Sequence, residues 1–178
     1  MPLIFLNSKK ALQYHFLYRS ATVFLASFGV FTSGLVAAQA NVGSVSGTPI
    51  SIRSTVGLSF GSFVANTGGD ITITSAGGRS KSGSLVLIAQ GASSSAAIFT
   101  ITGLAGAWFS IMLPADGVIA LSHGIDTMAV TTFQSNLADS EQLVNGNQTL
   151  RVGARLVVGN AQAAGSYTGT FPITVNYQ

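Results

Sequence analysis

The most constraining feature of the sequence is the alternation of side-chain character over residues 165–178. Every second residue from Tyr167 onward is apolar or aromatic, apart from one glycine, and the residues between them are threonine, proline or asparagine. Successive side chains of an extended chain point to opposite sides, so this period of two predicts a half-buried β-strand. Pro172 cannot donate a backbone hydrogen bond, which favours the edge of a sheet or a strand covered by another segment. The apolar set is Tyr167, Gly169, Phe171, Ile173, Val175 and Tyr177.

A second alternating run lies at residues 50–60, after Pro49. It is longer than the usual strand of about five or six residues, so we interpret it as two functional parts. Residues 58–64 are predicted to be the first strand of the folded domain, and residues 50–56 an arm that is free to pair elsewhere. The apolar face of the run consists of Ile50, Ile52, Val56, Leu58 and Phe60.

The remaining apolar segments are short and are separated by clusters of Gly, Pro, Asn, Asp or Ser, which is typical of strands and turns. Residues 85–88 are continuously apolar and are predicted to be a strand buried on both faces. Residues 137–144 are the one segment that suggests a short helical turn. About nine strands in one domain predict an all-β fold, an antiparallel Ig-like β-sandwich that an N-terminal donor strand could complete. The other predicted strands are 71–74, 97–101, 108–113, 118–121, 128–133 and 150–158.

The N-terminal 40 residues have the pattern of a secretory signal peptide. Lys9, Lys10 and Arg19 precede an apolar stretch over residues 21–38, and small residues follow it. We predict cleavage after Ala40 or after Ala38; an uncleaved signal anchor is the alternative, because the stretch approaches the length that spans a bilayer. The predicted organisation is a signal peptide at 1–40, an N-terminal arm at 41–56 and a β-sandwich domain at 57–178, with no membrane span after cleavage.

Charge and cysteine content exclude several classes of function. Three of the eight basic residues lie in the predicted signal, which leaves five bases against five acids in the mature chain. A neutral chain with scattered bases lacks the basic face that nucleic-acid binding requires. The chain has no cysteine, so stability must come from packing, hydrogen bonds or assembly. Charged residues make up only 7% of the chain, which suits a protein that packs against copies of itself.

One motif points to hydrolase chemistry. Residues 57–61 match the G-x-S-x-G pattern around a nucleophilic serine, Ser59, and Asp116 and His123 follow in the chain order of that family. That motif requires a strand that ends in a helix, whereas Ser59 lies on the polar side of an alternating strand. We therefore interpret Ser59 as a structural residue, expect no enzyme activity, and keep a small secreted hydrolase as a distant alternative.

Other candidate sites are weaker. His123 is the only histidine after the predicted signal and is expected at a loop or strand end, so one chain cannot form a histidine metal cluster. The dispersed acids show no calcium-loop spacing, although a calcium site built from separate loops stays open. No cofactor motif is present. Trp108 and Phe109 are predicted to fill the core, with a sugar-stacking platform as the alternative.

The C-terminal residues also resemble a known family. Tyr177 is penultimate and Gly165 is fourteenth from the end, a pattern similar to the last strand of bacterial chaperone–usher pilin subunits. The region from Gly165 to Tyr177 resembles more closely a family of secreted bacterial proteins known only as a domain of unknown function, related to spore-coat-protein-U-like subunits.

This resemblance implies a secreted structural subunit of a fimbria-like surface fibre, assembled by donor-strand complementation. Its partners would be copies of itself, with a periplasmic chaperone and an outer-membrane usher during transit to the cell surface. The donor residues would be Ile50, Ile52 and Val56. A self-complete β-sandwich that binds a carbohydrate or protein ligand is the alternative. The acceptor would be bordered by Gly165, Tyr167, Phe171, Ile173, Val175 and Tyr177.

Overall fold

A computed structural model describes residues 47–178 of the chain. The predicted signal peptide and the first part of the predicted arm, residues 41–46, lie outside the described residues. Within residues 47–178 the chain contains strands and turns and no helix, so the prediction of an all-β fold is confirmed. The described region has no helix long and apolar enough to cross a membrane.

The strands are more numerous and shorter than the nine predicted. The described residues form fourteen strands, of which six have only two or three residues. In order they are β1 Ser51–Val56, β2 Ser59–Phe60, β3 Phe63–Val64, β4 Gly69–Ile73, β5 Arg79–Lys81, β6 Val86–Leu87, β7 Ser94–Ser95, β8 Ala97–Thr102, β9 Trp108–Met112, β10 Ile119–His123, β11 Asp126–Ser135, β12 Ser140–Gln142, β13 Asn147–Val158 and β14 Thr174–Tyr177.

The large antiparallel sheet is built around β13, whose twelve residues pair with three other strands. The first half of β13 pairs with β8, and its second half pairs with β4 on the same side. On the other side β13 pairs with β11, and β10 continues the sheet beyond it. The strand order is β1-β8-β13-β11-β10, so β1 lies at one edge.

A three-stranded sheet of order β12-β9-β14 faces part of the large sheet. Buried residues of β9 share one hydrophobic cluster with residues of β8 and of the first half of β13, so the two sheets face each other in this region. Tyr177 of β14 is bonded to Thr48, just before β1, so β14 lies on the same side of the sandwich as β1. β5 pairs with β4, and two short pairs, β2–β7 and β3–β6, complete the described strands.

The interior is divided into two hydrophobic clusters along β13. The first contains Leu156 and Val158 from the second half of β13, together with Phe60, Phe63 and Tyr167. The second lies between the two sheets and contains Leu150 and Val152 from the first half of β13, Ile101 from β8, and Phe109 and Ile111 from β9. Leu58 and Phe133 pack against both clusters and connect them.

Three local predictions are wrong. In residues 85–88 only Leu85 is buried, and the strand is limited to Val86 and Leu87, with Val86 largely exposed. The predicted helical turn at 137–144 instead contains strand β12. The C-terminal alternation is not one continuous strand: an isolated bridge joins Thr168 to Ser122, and regular pairing resumes only at Thr174, after Pro172.

Candidate functional site

The predicted arm is a strand of the large sheet. β1 pairs antiparallel with β8 from Ser51 opposite Thr102 to Val56 opposite Ile98, with a bulge between Ser54 and Val56. Side chains add to the ladder, because the hydroxyls of Ser51 and Thr102 lie 2.7 Å apart and Thr55 donates to the carbonyl of Ile98 at 3.0 Å. Within one chain, the arm is therefore the edge strand of the large sheet, next to β8.

The inner face of the arm packs against the same hydrophobic cluster as residues from the C-terminal end of the chain. Ile50 and Ile52 are half-buried against the second hydrophobic cluster, as are Phe171, Ile173 and Val175. The arm is thus brought together with three of the residues predicted to border the acceptor. We call this arrangement, the edge of β8 with residues 171–175, the arm seat.

Phe171 connects the arm seat to the large sheet. Its ring packs edge-on against Phe99 of β8, with centroids 6.2 Å apart, and against Phe133 of β11 at 5.1 Å. Since Phe99 is the register partner of Ser54 in β1, the C-terminal segment supports the strand on which the arm lies. Removal of the arm would expose aromatic and aliphatic surface at this position.

Tyr177 joins the two ends of the described chain. Its hydroxyl donates to the carbonyl of Thr48, just before β1, at 2.7 Å and accepts from the amide of Leu104 at 2.6 Å. Gly103 lies so close to this hydroxyl that a Cβ there would clash with it. These contacts place β1 and β14 on one side of the sandwich. Pro172 lies just before β14, which is an edge strand of its sheet, as expected for proline.

The structure separates the other predicted site residues from the arm seat. Val56 lies beyond the bulge and is 38% exposed, so it does not share the inward face with Ile52. Tyr167 is fully buried in the first cluster, where its hydroxyl donates to the carbonyl of Ala163 at 2.8 Å and accepts from Gln162. Gly165 lies under the imidazole ring of His123.

The residues of the hydrolase-like motif have structural contacts. Ser59 lies in β2 and its hydroxyl donates to the carbonyl of Ser93 at 2.7 Å. Asp116 accepts the backbone amide of Thr132 at 2.6 Å. His123 ends β10, as predicted, and its ring lies 5.5 Å from that of Tyr167. Each of the three groups is thus engaged with a different part of the backbone or core.

Electrostatics contribute little at the arm seat, since the inward residues of the seat and of the arm are uncharged. Arg79 lies outside the arm seat, and it is the basic residue of the described chain whose pKa is shifted. Its guanidinium donates to the carbonyls of Ser62 at 2.8 Å and Ile88 at 3.5 Å, and its Nε is buried without a partner. Burial lowers the pKa of Arg79 from its ordinary value. No group of three potential metal-ligating side chains occurs within residues 47–178.

The sequence predicts the wrong environment for one residue, Trp108. Phe109 fills the core as predicted, but Trp108 points away from it and is 53% exposed. Alternation along β9 places the two neighbouring aromatic side chains on opposite faces of the strand. This alternation is the sequence signal that indicates the outward position of Trp108, since Ile111 shares a face with Phe109 and Met112 shares the other face with Trp108.

Comparison with known proteins identifies a sequence family. The family described as Domain of unknown function (DUF4402) matches residues 50–177. No curated protein matches the chain, and no solved structure matches it. The family match begins at Ile50, so β1 and the arm seat both lie within the matched region.

Proposed function

The chain belongs to the family described as Domain of unknown function (DUF4402), and on that premise we propose that it is a secreted structural subunit of a fimbria-like surface fibre. Assembly proceeds by β-strand complementation: the arm of one subunit occupies the arm seat of the next. The observation that carries the proposal is the arm seat, where an N-terminal edge strand and the C-terminal segment pack against one hydrophobic cluster.

The exchange preserves the pairing that one chain already makes. In the monomer β1 lies on its own β8, and in the fibre the same residues lie on β8 of a neighbour with the same register. Such a swap of an identical element creates an intermolecular interface without new contacts. Backbone hydrogen bonds supply affinity, while Ile50 and Ile52 determine register through the alternation of the strand.

The arm is held loosely enough to exchange. Among the described strands it pairs with β8 alone, and Gly57 separates it from the two-residue strand β2. Half-burial of two isoleucines contributes on the order of 2 kcal/mol, and each net backbone hydrogen bond about 1 kcal/mol. Because these contributions are equal within and between chains, the balance depends on the local concentration of neighbouring subunits.

Kinship with chaperone–usher pilins is part of this proposal. It is supported by the C-terminal strand at a sheet edge, on the same side of the sandwich as the N-terminal strand. On this view a periplasmic chaperone protects the arm seat during transit, and an outer-membrane usher directs the exchange at the cell surface. Export would depend on the predicted signal peptide.

An engineered disulfide tests the exchange. The chain has no cysteine, so any disulfide comes from introduced residues. Arg53 and Thr100 are opposed in the β1–β8 ladder, and directly opposed residues have the Cα separation that a disulfide requires. Single variants Arg53→Cys and Thr100→Cys are purified, mixed and oxidised under conditions that permit assembly. The proposal predicts a covalent heterodimer, and the double variant should form a ladder of covalent multimers.

The matched control uses Ala120 and Ala129, which are opposed in the β10–β11 hairpin. Variants Ala120→Cys and Ala129→Cys should give only intramolecular disulfides when combined in one chain. A double Arg53→Cys/Thr100→Cys variant that stays entirely monomeric after oxidation, at every protein concentration, would contradict strand exchange.

A self-complete binding module of the cell surface is the second candidate. It is favoured by one observation, namely that β1 fills its own seat within a single chain. This candidate predicts a monomer at all concentrations and intramolecular disulfides alone in the experiment above. Sedimentation of the mature protein over a hundredfold range of concentration separates the two candidates.

A further inference from the structure

The outer face of the three-stranded sheet carries an exposed tryptophan between two glutamines. Trp108 is the register partner of Gln142 in β12, and the backbone amide of Gln178 donates to the Trp108 carbonyl at 3.1 Å from the other side. The residues that alternate to the same face as Trp108 are polar, apart from Met112. They are Ser110, Ser140, Gln142, Thr174 and Asn176. We call this surface, including Gln178, the Trp108 face.

The two glutamines are oriented by their own hydrogen bonds. The amino group of Gln142 donates to the carbonyl of Gly106 at 2.8 Å, and the oxygen of Gln178 accepts from Ser140 at 2.8 Å. Within the described part of the chain, the Gln142 oxygen and the Gln178 amino group are left for a ligand. An oriented acceptor and an oriented donor therefore flank the indole ring.

The side chains of the Trp108 face carry no charge. All five bases of the described chain lie in β1, β5 and β13 of the large sheet. Glu141 lies in β12 opposite the core residue Phe109 and alternates away from the face. The face thus combines an aromatic ring, amides and hydroxyls. Met112 lies four positions along the strand from Trp108, a distance of about 13 Å.

We propose that the Trp108 face binds a neutral polysaccharide. A pyranose ring has an apolar C–H face that packs on an indole ring, and hydroxyls at its rim that both donate and accept hydrogen bonds. Amide side chains offer both functions in one group, whereas a carboxylate only accepts and an ammonium group only donates. Trp is also one of the side chains enriched among those that dominate binding energy at protein interfaces.

The distribution of charge argues against single-stranded nucleic acid, another ligand that stacks on tryptophan. Single-stranded nucleic acid stacks its bases on aromatic rings but requires a basic groove for its phosphates. The three-stranded sheet contains no Lys or Arg. The inference is independent of strand exchange, because the Trp108 face lies on the opposite side of β9 from the second hydrophobic cluster.

Intrinsic fluorescence provides a direct test, since Trp108 is the only tryptophan of the chain. The mature protein is titrated with hexasaccharides of β-1,4-glucan, β-1,3-glucan, chitin and α-mannan, with heparin as a charged comparison. A saturable change in emission with at least one neutral hexasaccharide, and none with heparin, is expected. Binding to heparin alone, or unchanged emission with every neutral glycan, would overturn the proposal.

Variants locate the binding by calorimetry or by retention on the insoluble polymer. Trp108→Ala is expected to weaken binding at least tenfold, and Gln142→Ala and Gln178→Ala severalfold. Ile125→Ala is the matched control, because Ile125 is 99% exposed at the tip of the β10–β11 hairpin. Equal glycan binding by the Trp108→Ala and Ile125→Ala proteins would contradict the proposal. If no glycan binds and Trp108→Ala instead reduces self-association, the proposal is also contradicted, and the face would be assigned to contact with a second copy.

Discussion

At the scale of single residues, the packing around position 165 leaves room only for glycine. A Cβ at this position would clash with the imidazole ring of His123, which lies between Gly165 and the ring of Tyr167. Tyr167 is in turn fixed by the bond from its hydroxyl to Ala163, four residues upstream. The glycine therefore permits a packed corner between the end of β10 and the C-terminal segment.

We expect Gly165→Ala to lower the free energy of unfolding by about 1–2 kcal/mol, since the His123 ring must leave Tyr167 to make room. His123→Ala should remove most of this penalty, so the double variant is expected to be more stable than additivity allows. Denaturant unfolding of the four proteins measures the coupling. Gly78→Ala is a control, because the atoms nearest to its added Cβ belong to the Thr74 side chain and not to His123 or Tyr167. Strict additivity would contradict the assigned contact.

At the scale of elements, a bulge in β11 decides which residues face the core. Thr131 pairs with Arg155 and Gln134 with Gly153, so two residues, Thr132 and Phe133, oppose one residue of β13. The extra residue turns Phe133 inward, where it packs on Phe171 and connects the two hydrophobic clusters. Thr132 has a positive φ of 52°, and its amide donates to Asp116.

The bulge predicts opposite effects at two neighbouring threonines. A β-branched residue at positive φ is strained, so Thr132→Gly should raise the free energy of unfolding by about 1 kcal/mol. Thr131→Gly, in the regular part of the same strand, should lower it by a similar amount because glycine weakens a strand interior. Thermal unfolding of both variants provides the measurement. A destabilised Thr132→Gly protein would show that the bulge is not strained.

At the scale of the whole molecule, the balance of charge in the described residues bears on the proposed fibre assembly. The described residues carry five bases against five acids, and the arm seat is lined by apolar groups. With little long-range repulsion or attraction, association depends on contact complementarity and changes little with salt. The inward residues of the arm are then the position at which an added charge has most effect.

Ile52→Asp places an unpaired carboxylate in the arm seat, which we expect to abolish multimers and to lower the free energy of unfolding by about 2 kcal/mol. Arg53→Asp places a carboxylate one residue away, on the exposed face of β1, and should leave both properties nearly unchanged. Size-exclusion chromatography and thermal unfolding of the exported proteins compare them. Equal multimer content in Ile52→Asp and the parent chain would rule out the register of the arm.

Much of the fold could be predicted from side-chain periodicity. The strands that became β4, β8, β9, β11 and β13 were located to within a few residues, because burial on one face imposes a period of two wherever a strand lies on a core. The same rule fails where a strand has two residues or where a bulge shifts the period. For that reason residues 85–88 were predicted as the wrong kind of strand and Val56 on the wrong face. Trp108 is a different case, because β9 alternates regularly and this alternation already places Trp108 on the face opposite Phe109.

By itself the sequence determined the class of fold, the edge position of the C-terminal strand and the inward face of the arm at Ile50 and Ile52, since alternation, proline and apolarity act over neighbouring residues. Only the tertiary structure decided that the arm pairs with β8, that Tyr177 ties the arm to Leu104, and that Trp108 faces outward between Gln142 and Gln178. These relations join residues far apart in the chain. They depend on sheet order and register, which local periodicity does not encode.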